Sequence, residues 1–354
     1  MRPFFTDIMN DSPKPKKPLA AQLRRLYELE GRIHDLDPWQ WLAPADIFCV
    51  QFEDREPLFV CFHHSGEIKA IDIAVGWPGY TVLLHVHTHK IHYPGFYFET
   101  RMLQVGRLDA QRTFEGEALN HEKYGREEAN GAVPFFRTHN IGYVPWPVNR
   151  DEAALLCDVL YAVFGMAMRL EDFSEPLGNR AMEAVFTVNI NADGALSAPE
   201  WVALPEIPPG VQADVNLPGQ LLHLVRKLPE APHPVEVEHI FLPVLPGKLR
   251  RGAPPETAYV FLLAGGADET IGGHFILHAR GDIANVWTEF PVRLLEVFLR
   301  QRMRPPEILV TDSRLMTMLR PLTELLPTLK LTRAEELPVI TREGAEVLKE
   351  LTGG

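Results

Sequence analysis

A proline-rich stretch near the middle of the chain places the strongest constraint on its fold. Residues 205–218 read PEIPPGVQADVNLP, and proline is frequent again over residues 229–234. Proline fixes φ and removes a backbone donor, so a segment of this kind runs extended and builds no core of its own. The chain has 354 residues, whereas a single core seldom grows beyond roughly 250 residues. We therefore predict two domains joined by a linker.

The predicted boundaries follow from where helical and strand patterns begin and end. The segment SPKPKKP precedes the first helical pattern, so we expect a flexible arm there. We predict an arm over residues 1–18, an N-terminal α+β domain over 19–204, a proline-rich linker over 205–235 and a C-terminal α/β domain over 236–354.

The N-terminal domain carries three strand-like runs, at residues 47–52, 58–63 and 68–75. Short acidic or Ser-Gly segments separate them, which is typical of an antiparallel meander. After Asn149, apolar residues recur every three or four positions and predict a long helix that extends to about residue 167. We expect a meander packed against helices.

The C-terminal domain is predicted to have the order ββαβαβα, a mixed sheet flanked by helices. Apolar strands are expected at residues 259–264 and 271–279, followed by an amphipathic helix over 283–299. The run at 308–310 is short and wholly apolar, which indicates a central strand covered on both faces. Residues 329–332 alternate as a last strand.

Charge and cysteine usage limit the classes of function. The net charge is −12, and acids outnumber bases in both halves of the chain, so we expect no non-specific binding of nucleic acid. The three cysteines include no CxxC pair, so we predict reduced buried thiols and a cytoplasmic protein. No continuous apolar run reaches the roughly 18–20 residues of a membrane helix, and residues 1–17 lack the apolar stretch of a secretory signal.

Several short motifs give the chain a family resemblance. They are LY at 26–27, DPWQWL at 37–42, DIFCV at 46–50, FR at 136–137, GYVPW at 142–146, RPPEILVTD at 304–312 and ELP at 336–338. Through them the chain resembles an uncharacterised two-domain family of bacterial proteins. The resemblance implies a bacterial cytoplasmic protein and adds no catalytic residue.

The C-terminal element order is also similar to the core of the ribonuclease H-like superfamily. That resemblance implies two-metal chemistry on converging carboxylates, with Asp312 placed after a central strand. The expected first strand, 259–264, contains no acid, and Asp268 lies in the turn beyond it. Glu289 or Glu296 could supply a helical acid. The resemblance therefore implies an inactive relative, and we favour the interpretation of Asp312 as a helix N-cap.

A histidine cluster is the main alternative metal site. If the segment is a strand, His85, His87 and His89 share one face. If it is a helix, His85, His89 and His92 share one stripe. Either arrangement could offer three imidazoles to zinc. His63 and His64 could contribute from a neighbouring strand. No HExxH or paired-cysteine motif accompanies the cluster, so we favour a solvated polar face without metal. The cluster comprises His85, His87, His89 and His92.

The segment 143–147, YVPWP, is rigid, extended and aromatic, so Tyr143 and Trp146 are candidate partner-binding residues. No GxSxG elbow or phosphate-binding loop is present. We therefore predict a non-enzymatic binding or adaptor module that needs no cofactor and contacts a protein partner. The alternatives are a divergent metal-dependent nuclease or transposase-like domain using Asp312, and a zinc site at residues 85–92.

Overall fold

The computed structural model shows an α+β protein with two mixed sheets, which confirms the expected fold class. The structure describes residues 16–65, 68–88, 99–126, 131–173, 175–191, 193–206, 216–242, 254–265 and 270–352.

Contacts divide the chain into two compact units. The first unit comprises Met1–Gly76, Leu103–Thr138 and Pro147–Leu204, and the second comprises Trp77–Met102, His139–Trp146 and Pro205–Gly354. The second unit thus includes two segments, 77–102 and 139–146, that the sequence prediction placed in the N-terminal domain.

The described helices are α1 (Ala20–Leu36), α2 (Gly76–Thr88), α3 (Glu115–Tyr124), α4 (Arg150–Leu170), α5 (Gly219–Arg226), α6 (Ala284–Gln301), α7 (Ser313–Leu325) and α8 (Pro338–Thr352). The described strands are β1 (Phe48–Phe52), β2 (Leu58–Ser65), β3 (Ile68–Val75), β4 (Met102–Asp109), β5 (Ala132–His139), β6 (Trp146–Pro147), β7 (Ala184–Ile190), β8 (Glu200–Ala203), β9 (Val235–Leu242), β10 (Ala258–Gly265), β11 (Thr270–Leu277), β12 (Glu307–Val310) and β13 (Lys330–Arg333).

The first sheet has eight strands in the order β6-β5-β4-β3-β2-β1-β7-β8. Strands β1, β2 and β3 pair antiparallel, so the predicted meander is confirmed. Strand β7 returns beside β1 and runs parallel to it. Apolar residues of β1, such as Phe48 and Val50, join those of α1 and α4 in one core. That core covers one face of the sheet with helices, as expected from the helical stripe after Asn149.

Helix α4 is a long, apolar helix of the first unit. Among the described residues it is the helix long and apolar enough to cross a membrane by length and composition. One face of this helix, however, is buried in the core of the first unit, as expected for a core helix of a globular fold. The buried residues are Ala153, Leu156, Val159, Leu160, Ala162, Val163, Met166, Ala167 and Leu170.

The second sheet has the order β11-β10-β9-β12-β13. Strand β9 is antiparallel to β10 and parallel to β12, and β12 is parallel to β13. Strand β12 is therefore central, as its apolar run predicts. The structure adds β9 ahead of the two strands expected at the start of this domain. The sequence VEVEHIFL alternates acids with apolar residues directly after a proline-rich segment, and the acids obscured the strand pattern.

Both faces of the second sheet are covered. One core joins the sheet to α6 and α7 and contains Trp287, which is 1% exposed. The other core joins the opposite face to α8 through residues such as Val260 and Ile340. A sheet with helices on both faces leaves its strand ends as the places where polar side chains can meet.

Candidate functional site at the carboxyl ends of strands β9 and β12

The candidate site lies where the strand order of the second sheet reverses. From β9 the chain continues to β10 on one side, and from β12 it continues through α7 to β13 on the other. Ligands of open α/β sheets bind outside the carboxyl ends of strands at such a switch point. Leu309 pairs with Glu236, and continuation of this register brings Glu238 level with Thr311.

Asp312 follows β12 and starts α7. Its Oδ1 accepts a hydrogen bond from the backbone N–H of Arg314 at 2.5 Å, so it is the helix N-cap that the sequence predicts. Its Oδ2 lies 3.7 Å from Arg314 Nε and 3.9 Å from His239 Nε2. One carboxylate therefore caps a helix and faces two nitrogen-bearing side chains.

His239 stands between two acids. Its Nδ1 lies 3.3 Å from Glu238 Oε1, on the side of the ring opposite Asp312. The imidazole is 2% exposed and stacks on Tyr259, with ring centroids 6.0 Å apart. Trp287 meets it edge-on at 5.6 Å. These aromatic walls fix the ring position and exclude water from one side of the site.

Glu238 is held by two partners. Burial acts to raise the pKa of this carboxyl group, but hydrogen bonds with His239 and Thr311 outweigh burial and bring the pKa below its usual range. The Thr311 hydroxyl donates to Glu238 Oε2 at 2.6 Å. The Glu238 charge is thus stabilised by donors of its own chain.

Glu99 enters the site from a segment distant in sequence. Its side chain is 8% exposed, and it receives hydrogen bonds from the Tyr259 hydroxyl at 2.8 Å and from Arg314 Nη1 at 2.5 Å. Burial raises the pKa of Glu99 above its ordinary value even though Arg314 opposes the rise. The Arg314 guanidinium also lies 5.5 Å from the ring of Trp287.

Arg314 consequently bridges two carboxylates. Two-metal chemistry needs several carboxylates whose oxygens converge on a cation. Here a guanidinium, which stays protonated at any physiological pH, contacts Glu99 and lies near Asp312. Within the part of the chain that the structure describes, no three carboxylate or imidazole atoms of this site lie within 4.8 Å of one another. The arrangement is a network of ion pairs and hydrogen bonds around the Arg314 guanidinium.

The other acids predicted for this site do not join the network. Glu289 lies on α6, 44% exposed, and pairs with Arg293 at 2.6 Å, so it belongs to the solvated face of that helix. Glu296 pairs with the same arginine at 2.9 Å. Asp268 lies outside the described residues.

The histidine cluster is only partly described. His85 and His87 lie on helix α2, where residues two positions apart do not face each other. His89 and His92 lie outside the described residues. His63 lies on β2, with its Nε2 3.0 Å from the carboxylate of the fully buried Asp72. Burial acts to lower the pKa of His63, but the Asp72 carboxylate raises it above its ordinary value.

The aromatic segment pairs with its own unit. Tyr143 forms a bridge with Glu256, and the N–H of Val144 donates to the carbonyl of Pro255 at 2.9 Å. Trp146 is half-buried and begins strand β6. Partner binding by Tyr143 and Trp146 stays a prediction.

Four residues of the network were not predicted from the sequence: Glu99, Glu238, His239 and Arg314. The run EVEH at 236–239 carries a usable signal, because alternation with apolar neighbours predicts a strand with acids on one face. Glu99 gives no local signal, since its partners Tyr259 and Arg314 are 160 and 215 residues away.

Comparison with known proteins finds a family match in the first half of the chain. Residues 24–187 match a family model described as "Domain of unknown function (DUF7309)". The resemblance to an uncharacterised family is thereby confirmed for this region. Searches among curated proteins and among solved structures found no match to the chain.

Proposed function

We propose a non-enzymatic binding function for this chain, whose residues 24–187 match a domain of unknown function. We also propose that the second unit resembles the ribonuclease H-like superfamily but lacks its metal-dependent cleavage. The observation that carries the proposal is the Arg314 guanidinium, which donates to Glu99 at 2.5 Å and lies 3.7 Å from Asp312. It lies beside both acids, so a divalent ion held by both of them would have to displace it.

The network explains why a cation would gain little here. A divalent ion between Glu99 and Asp312 would have to displace the guanidinium and break its hydrogen bond to a carboxylate that is 8% exposed. Removing one partner from a buried ion pair costs several kcal/mol. The Glu238 charge is already stabilised by His239 and Thr311. The acids therefore serve the fold of the strand ends.

A cleavage assay tests this proposal. Full-length protein, purified without an affinity tag, is incubated with Mg²⁺ or Mn²⁺ and with single- and double-stranded DNA and RNA. We expect no cleavage by the wild type or by Asp312→Asn. The matched control is Asp282→Asn, because Asp282 also accepts a backbone hydrogen bond at a helix start, from Ala284 at 2.9 Å. Metal-dependent cleavage that is lost in Asp312→Asn and kept in Asp282→Asn would overturn the proposal.

A metal-dependent nuclease is the second candidate, and one observation favours it. The strand expected to come first in this domain, at residues 259–264, contains no acid. In the structure the first strand of the second sheet is β9, and it carries Glu236 and Glu238. Glu236 caps α8 by accepting from Ile340 at 2.9 Å, but Glu238 and Asp312 share one end of the sheet. The same assay separates the two candidates.

We also propose a cytoplasmic location in a bacterium. The support is that none of Cys49, Cys61 and Cys157 forms a disulfide, and that the first two are buried. Proteins of reducing compartments keep such thiols. Fractionation of the producing cells tests this, and recovery of the protein only from the periplasm or medium would contradict it.

A further inference from the structure

The first unit contains a large cavity at its own switch point. Strands β1 and β7 are parallel neighbours, and the chain leaves β1 toward β2 on one side and β7 toward β8 on the other. Phe52 and Ile190 end these two strands, and both line a half-open cavity of about 800 Å³. The rule that locates ligands outside the carboxyl ends of strands at such a reversal applies to this position.

The cavity has an apolar lining and a rim of charged residues, most of which are acidic. The apolar lining comprises Phe52, Ile190, Cys157 and Tyr161, and Tyr161 is 43% exposed. The volume lies within the range of small-molecule sites, roughly 300–1,000 Å³. The charged residues around it are Arg25, Glu53, Asp54, Arg55, Asp158 and Asp193.

The two cations of the rim already have partners. Arg25 pairs with Glu28 on its own helix at 2.8 Å. Arg55 lies 3.8 Å from Asp54 and 5.6 Å from the centre of the Phe52 ring. The rim therefore presents more carboxylate than guanidinium charge to a ligand.

Asp158 is the carboxylate best placed to meet a ligand. It lies on α4, one turn from Tyr161, lines the cavity and is exposed to solvent. Burial raises the pKa of Asp158 above its ordinary value, although Arg55 opposes the rise. A cation placed beside this exposed carboxylate would stabilise its charged form.

We propose that this cavity binds a small organic cation, namely a primary amine that carries an apolar body. The ammonium group would donate charge-assisted hydrogen bonds to Asp158 and lie within reach of the Tyr161 ring. The apolar body would cover Phe52 and Ile190. This site is independent of the charge network in the second unit, so the proposal stands or falls separately from the proposed function.

Three probes that share one hydrocarbon body test the proposal by calorimetric titration of the full-length protein. They are 2-phenylethylamine, the neutral 2-phenylethanol and the anionic 3-phenylpropionate. We expect the amine to bind, the alcohol to bind several-fold more weakly and the anion to bind weakest. The affinity for the amine should fall as salt is added, because screening weakens partly exposed charge pairs.

Two variants locate the binding site. Asp158→Asn should weaken amine binding about two- to fivefold, because the ion pair that is lost is exposed to solvent. Asp172→Asn is the matched control, because Asp172 is an exposed carboxylate just beyond the same helix and does not line the cavity. Circular dichroism verifies that both variants fold. Absence of amine binding to the wild type, equal binding of amine and anion, or unchanged affinity in Asp158→Asn would each overturn the proposal.

Discussion

Replacing Arg314 with methionine removes the cation of the second unit while keeping a long side chain. The Glu99 carboxylate, 8% exposed, would lose its charged partner. Removing one member of a buried pair costs about 3–5 kcal/mol. Because Arg314 itself is 24% exposed, solvent reduces this cost, and we expect a loss of about 2–3 kcal/mol in the free energy of unfolding.

The loss should depend on pH in a defined direction. Burial already raises the pKa of Glu99, and removal of Arg314 raises it further. A carboxyl group whose pKa is higher in the folded state contributes stability below its unfolded pKa, and this contribution is lost as the pH rises through the folded pKa. The penalty of Arg314→Met should therefore be largest near neutral pH and shrink as the pH falls toward the unfolded glutamate value, about 4.3.

Urea unfolding at about pH 7 and about pH 5 measures this, with hydrogen exchange of Val235–Leu242 reporting the second unit alone. The double variant Glu99→Gln/Arg314→Met should recover more than half of the loss, because the unpaired charge is gone. A loss below about 0.5 kcal/mol, an equal loss at both pH values or no recovery in the double variant would show that Arg314 does not stabilise a buried Glu99 charge.

Three further predictions concern packing, capping and thiols. Trp287→Ala should lower the stability of the second unit by about 3–5 kcal/mol, because the side chain is 1% exposed; an unchanged melting temperature contradicts this. Asn149→Ala should cost about 1 kcal/mol in urea unfolding, because its side chain accepts from the N–H groups of Asp151 and Glu152; a cost near zero would mean that the cap is dispensable. Burial raises the pKa of Cys61 well above its ordinary value, so Cys61 should resist alkylation in the folded protein. Mass spectrometry measures this, and labelling of Cys61 at the rate of a small-molecule thiol would contradict its burial.

Local patterns explain what the sequence predicted correctly. The meander β1–β3 could be predicted because acidic and Ser-Gly turns separate alternating apolar runs. The N-cap role of Asp312 could be predicted because a cap depends on a side chain and the backbone two or three residues later. The central position of β12 follows from its apolar composition.

Tertiary partners explain what the sequence did not show. The alternation in EVEH indicates a strand, but it does not show that Glu238 meets Thr311 or that His239 lies near Asp312. Glu99 is buried only because Tyr259 and Arg314 meet it, and no local pattern encodes pairs so distant in sequence. Sequence spacing therefore predicted the frame of the sheet and one acid of its site, but not the cation that neutralises it.

Manganese binding to the wild-type protein, followed by electron paramagnetic resonance, tests the claim that Arg314 fills the cation position beside Asp312. We expect no stoichiometric Mn²⁺ bound at the carboxyl ends of β9 and β12. Stoichiometric binding to the wild type that disappears in Asp312→Asn would contradict it.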